Sequence, residues 1–304
     1  PLALLQGYGL LVLLVRQQVL PPLDLFGYLS NLIIIIAGTM FLVWLGELIN
    51  EQGLGNGISL LILAGIVSSF PRSLQQEFFA FRPEMLPGYI GFVLVSLIVI
   101  AGVVVVSEGE RAVPVSYAKR IRGTRVYGGT STYLPLRVNQ AGVIPIIFAV
   151  SIILFPGLIG SFLSGIPHPL AQQISAFLVT LFNNQWVYGG AYFFLVVAFT
   201  YFYTAVTFDP QQIADKLQKQ GGFVLGIRPG KPTADYLIYI LSRITIAGAL
   251  FLGVIAILPL IVQGVFPIRA LTTGGTALLI VVSVIIETVK QIDAQLVMRE
   301  YERI

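Results

Sequence analysis

Long, continuously apolar runs, each about 20 residues and separated by short clusters of charge, constrain this chain more than any other feature. Residues 89–107, YIGFVLVSLIVIAGVVVVS, carry no charge, and 186–207 have the same character. Such runs have the length an α-helix needs to cross a hydrocarbon core. Because they are unbroken rather than alternating, they favour helices over a β-barrel. With 56% hydrophobic and only 11% charged residues, the chain reads as an all-α, polytopic membrane protein, a helical bundle.

Taken in order, the expected spans are 3–20, 27–49, a short segment over 57–70, 89–107, 139–162, 186–207, 237–260 and 275–288. Pro21-Pro22 stop the first, close to Arg16 and Gln17, and Pro156-Gly157 close the fifth. Pro145 falls inside that fifth span and predicts a kink, because proline removes a donor and frees a carbonyl. The stretch 71–87 contains SLQQEFFAF, which predicts an amphipathic piece in the membrane interface, and a second interfacial segment is expected up to Phe182. About eight crossings of this length place both ends of the chain on one face.

Two polar excursions interrupt the apolar pattern. The first, 108–138, carries Arg111, Lys119, Arg120, Arg122, Arg125 and Arg137. Within it PVSYA and TYLPLRV have the β-branched, aromatic character of short strands, with Gly128-Gly129 between them, so a β-hairpin-like loop is expected. The second, 208–236, opens on Asp209-Pro210, a helix cap followed by proline at the first helical position, and carries Lys216, Lys219, Arg228 and Lys231. Lys290, Arg299 and Arg303 of the tail fall on the same face, with Arg243 nearby. Arg72, Arg82 and Arg269 fall opposite, and Arg16 is ambiguous. The positive-inside rule makes the excursions and both ends cytoplasmic. The cations between 111 and 125 are either an orientation signal alone or a docking site for something acidic.

Chemistry is sparse. The absence of cysteine removes disulfides, thiolate catalysis and thiolate metal sites, and His168, set between two prolines, reads as an ordinary loop residue. GLGNG at 53–57 follows a membrane helix instead of a strand and lacks the lysine of a phosphate loop, so it reads as a tight cytoplasmic reversal. Arg16, Glu47, Arg243 and Glu287 lie near span ends, where snorkelling or capping accounts for them. A solute transporter, the alternative reading, would carry an ionisable group near the bilayer midplane. No residue constellation for an enzyme, a metal or a cofactor is present, and a passive pore served by an external motor or docking partner fits better.

GLGNGISLLILAGIV, the YAKR and RVYGG run, STYLPLRVNQAGVIPIIFA, FDPQQIADKLQKQGGFVLGIRPG and GGTALLIVVSVIIETV, in this order, resemble the SecY family of bacterial protein translocase subunits over essentially the whole chain. The resemblance implies the third to the tenth of the family's ten membrane helices. The first two, with the plug that seals the resting channel and a helix lining the lateral gate, are expected to be missing. It implies that 1–107 holds four spans, the last of which, 89–107, begins the C-terminal half. Then come a basic loop (108–138), gate helices (139–207), a second cytoplasmic loop (208–236), and the last two spans with the tail (237–304).

By the same resemblance, Ile58, Ile62, Ile147 and Ile280 would belong to the apolar ring at the channel waist, although lipid-facing or core packing explains isoleucines equally well. Gln17 and Asn139 would make polar contacts across the lateral gate; solvation for Gln17 and helix capping for Asn139 are the plainer explanations. Arg111, Lys119, Arg120, Arg122, Arg125 and Arg228 would meet the SecA motor ATPase or ribosomal RNA phosphate. The implied partners are the small membrane subunits SecE and SecG, SecA, the ribosome, a preprotein with its signal peptide, and membrane lipid. The implied place is the bacterial cytoplasmic (inner) membrane, and the implied energy source is external.

Overall fold

The computed structural model describes residues 2–53, 55–80, 83, 86–117, 120–122, 125–127, 131–164, 166, 168–265 and 271–301. Helices α1 (Leu2–Arg16) and α2 (Leu25–Glu51) come first. Asp24 starts α2, its carboxylate accepting from the Gly27 amide at 2.8 Å and so satisfying one orphan donor. Helices α3 (Gly57–Ala80) and α4 (Leu86–Glu108) follow. The α3 helix continues through Pro71, where the sequence suggested a boundary. Proline's fixed φ is itself helical, so continuation costs one donor and a displaced carbonyl, and the residues around it are exposed.

The kink expected at Pro145 is not there. Helix α5 (Ile144–Ile153) begins just before that proline, which therefore sits in the first turn, where no intrahelical donor is needed. The interruption falls instead at Leu154, between α5 and α6 (Phe155–Leu163), with Pro156 in the first turn of α6. Then come α7 (Pro169–Asn183), α8 (Gln185–Thr207), α9 (Pro210–Lys219), α10 (Lys231–Val265) and α11 (Leu271–Tyr301). Asp209 caps α9 by accepting from the Gln211 and Gln212 amides at 3.0 and 3.2 Å.

Among the described residues, five helical stretches are long and apolar enough to cross a membrane: Leu25–Glu51, Leu86–Glu108, Ile144–Leu163, Gln185–Lys219 and Lys231–Leu258. Ala3–Val15 and Gly57–Ser73 are apolar but shorter. Their outer faces remain apolar and uncovered, as at Ile98 (71% exposed) and Phe194 (70%), which suits contact with acyl chains.

The extramembrane strands are β1 (Glu110–Tyr117), β2 (Arg120–Arg122), β3 (Arg125–Tyr127), β4 (Ser131–Arg137) and β5 (Gly222–Val224). β1 pairs antiparallel with β4, Glu110 opposite Arg137 through Ser116 opposite Ser131. β5, from the second excursion, pairs antiparallel with the other side of β1, Val115 opposite Val224. The sheet order is β4-β1-β5, and β2 and β3 pair separately. Gly128 and Gly129, read above as a turn, lie outside the described residues.

Two cores result. One lies in the bundle, where Val99 and Val103 of α4, Ile146 and Ala149 of α5, Val196 of α8, Leu252 and Ile255 of α10, and Val284 of α11 meet. The other lies under the sheet, where Val113, Val115, Leu136 and Val224 close over Leu217 of α9 and Leu237 of α10. Period-2 alternation along β1 aims Val113 and Val115 inward, while Ala112 and Pro114 face out.

Candidate functional site

Three groups of residues singled out in the sequence fall in three places. The isoleucines Ile58 and Ile62 lie one turn apart near the start of α3, whose neighbours are α2 and α11. Ile58 is 47% exposed and lies against Gly46 of α2. Ile147 of α5 and Ile280 of α11 are partly buried and border the bundle core. All four are therefore left incompletely covered, the first two outside the packed core and the second two on its rim.

Helix α1 meets α6. Gly9 lets α1 approach so closely that a Cβ there would stand 2.9 Å from a Leu158 methyl, and the Tyr8 and Phe162 rings meet edge-on at 6.3 Å. Ser175 of α7 braces α6 from behind, its hydroxyl donating to the Gly160 carbonyl at 2.6 Å.

Gln17 and Asn139 are not brought together by a described hydrogen bond. Gln17 is exposed just beyond α1. Asn139 precedes α5 by several residues, so it is no helix cap. Its amide donates to the Gly142 carbonyl at 3.2 Å, holding a turn in which Gly142 takes φ +62°. Its Oδ1 is buried without a partner, as is the Ser283 hydroxyl. Both residues line one cavity of about 140 Å³, which Arg137, Tyr203 and Glu287 also border. A polar cavity of that size is roomy enough for several waters to serve the two orphan groups.

Of the cations expected to dock a partner, Arg111 lies on the sheet and Arg228 in the loop beside it. Arg111 is exposed on β1, opposite Leu136. Arg228 is exposed in a loop whose form is set from inside: the buried Thr233 hydroxyl donates to the Arg228 carbonyl at 2.9 Å, and the Ile227 amide donates to the Val224 carbonyl. Lys119 lies outside the described residues, as do the side chains of Arg120, Arg122 and Arg125. Sequence reasoning missed that β5 joins the two excursions. A signal was available in the apolar pair Phe223-Val224, one aromatic and one β-branched, shortly after α9. It also missed the shared cavity, which depends on contacts remote in sequence.

The sequence model of the SecY family matches residues 1–289. The chain belongs to the SecY family. It is 45% identical to the protein translocase subunit SecY of Mycobacterium tuberculosis, over 98% of this chain and 67% of that protein. With the SecY of Streptomyces coelicolor it shares 43% identity, over 99% of this chain and 71% of the relative. Two solved structures share the fold. One, described as the structure of a protein conducting channel, superposes with TM-score 0.66 at 22% identity, over 95% of this chain and 70% of that one. The other, described by the role of the SecY plug domain in stabilising the closed state, gives TM-score 0.64 at 21% identity, over 95% and 71%. Membership of the SecY family replaces the solute-transporter alternative.

Proposed function

We propose that this chain is the channel-forming subunit of the Sec protein translocon, passing unfolded preproteins across the bacterial cytoplasmic membrane and releasing transmembrane segments sideways into lipid. It is a channel and not an enzyme, and its energy comes from the SecA ATPase or the ribosome. The chain crosses the membrane about eight times, with both ends cytoplasmic and SecE and SecG beside it. Ile58, Ile62, Ile147 and Ile280 belong to the waist. Branched aliphatics offer no hydrogen bonds to a passing peptide, and a narrow apolar constriction dewets against ions. Asn139 and Gln17 contribute polarity to the lateral gate. Arg111, Lys119, Arg120, Arg122, Arg125 and Arg228 receive the motor's acidic groups or ribosomal RNA phosphate.

The observation that carries this reading is the continuity between platform and gate. Strand β4, paired within the sheet that unites both basic excursions, ends at Arg137, and the gate helix α5 begins a short turn later at Ile144. Force applied to the sheet therefore has a direct covalent path to Ile147. The test is a photoreactive residue in place of Ile147, challenged with an arrested preprotein. Covalent capture of that preprotein supports a translocation path at this position, and a chain that captures nothing peptide-like refutes it.

A further inference from the structure

The glycine-rich turn between α2 and α3 has no role in the reading above, yet it is built to receive something. Gly53 and Gly55 take φ +73° and +124°, conformations that residues with a Cβ rarely adopt. Inside the turn, Asn50 Oδ1 accepts from the Gly57 amide at 2.7 Å and Asn56 Oδ1 accepts from the Ser59 amide at 3.1 Å, which ties the end of α2 to the start of α3. The occupant is α11, which approaches from the far end of the chain.

Gln295 donates its side-chain amide to the Gly53 carbonyl, a contact spanning 242 residues of sequence. A Cβ at Gly53 would collide with that same amide, and a Cβ at Gly55 would stand 2.9 Å from Gln291 Oε1. One turn earlier, Glu287 Oε2 would be 3.8 Å from a Cβ at Gly142, the left-handed glycine at the root of the gate helix. Glu287, Gln291 and Gln295 are spaced by four, so they form a single stripe along α11. Each stands over a left-handed glycine, two in the α2–α3 turn and one before α5.

We infer that this stripe is a latch, in which Gln291 and Gln295 are positioning residues that tie the α2–α3 turn to α11 and, through Glu287, to the turn that sets the start of α5. The latch rests on the channel reading for its purpose, which is to hold the gate helix in register with the other end of the bundle while the platform is at rest. All three glycines hold φ between +62° and +124°, a conformation that strains any residue with a Cβ, and at Gly53 and Gly55 a Cβ would also displace the ends of Gln295 and Gln291. The donor is required because the Gly53 carbonyl, just past the C-terminal cap of α2, takes Gln295 as its side-chain partner.

The test uses the full chain in proteoliposomes and two near-isosteric variants, Gln295→Glu and Gln295→Met. Neither can donate to Gly53, though both fill similar space. Hydrogen exchange is read at 55–59, at 142–147, and at the sheet amides of β1 and β4 as the control for folding. We expect exchange to rise at least tenfold at 55–59 and at least threefold at 142–147, two turns further along α11, with the sheet unchanged. Exchange within twofold of the parent at 55–59 would overturn the latch. A rise confined to 55–59 would overturn its coupling to the gate. A parent chain that fails to capture a preprotein at position 147 would refute the channel reading instead, and the exchange result decides the latch independently of it.

Discussion

Leu136→Ala should loosen the platform while sparing the bundle. Leu136 is fully buried in β4, opposite Arg111 in the register, among Val113, Val115, Leu217, Val224 and Leu237. Truncating a buried leucine removes its transfer free energy and leaves a hole that a small two-layer unit can only partly close, at about 2–5 kcal/mol. Taking about 3 kcal/mol, the local opening constant of the sheet rises roughly 160-fold, at 1.36 kcal/mol per factor of ten.

The bundle core is built from a different set of residues and shares none with this cluster, so the two losses should not add or spread. The assay is hydrogen exchange on β1, β4 and β5, alongside tryptic cleavage after Lys216 and Lys219. Tyr133→Ala, which removes a side chain 68% exposed on the same strand, serves as the matched control and should change little. Strand exchange that rises less than threefold in Leu136→Ala would refute the assignment of a separate core. So would a parallel loss of protection in α8 and in α10 around Leu252 and Ile255, beyond the turns that pack under the sheet.

Two further outcomes follow from the same structure. Arg228→Glu should leave thermal stability of the solubilised chain within about 0.5 kcal/mol, since the side chain is exposed and the loop is held by Thr233 through the backbone. It should weaken binding of SecA or ribosomes in a salt-dependent way, and unchanged binding would remove Arg228 from the docking surface. Pro145→Ala should lower stability by about 1 kcal/mol in the same melt, because a proline in the first helical turn costs the helix no hydrogen bond and restricts the unfolded chain; a gain of about 3 kcal/mol would restore the interior kink, since an interior proline costs a helix about that much.

Much of the site was legible in order but not in arrangement. Ile147 and Ile280 could be named from their segments, and they do border one core. Gln17 and Asn139 could be named too, yet one ends exposed beyond α1 and the other turns its amide onto the Gly142 carbonyl that a turn offers close by, leaving its Oδ1 to the cavity. Pro145 illustrates the same limit. A proline two residues into a helix and one in its middle look alike until the start of the helix is known.

The sequence by itself determined that the chain is a bundle of membrane helices, where its polar excursions fall, and local starts such as Asp209. These depend on hydropathy length and on capping within a few residues. Only the tertiary structure decided that both excursions share one sheet, that Asn139 and Ser283 line one cavity, and that the glycines of the α2–α3 turn are seats for Gln291 and Gln295. A short apolar stretch such as GFV or a glutamine on a helix has many equally favourable local fates. The partner it meets is set by packing between segments far apart in the chain, which no local pattern encodes.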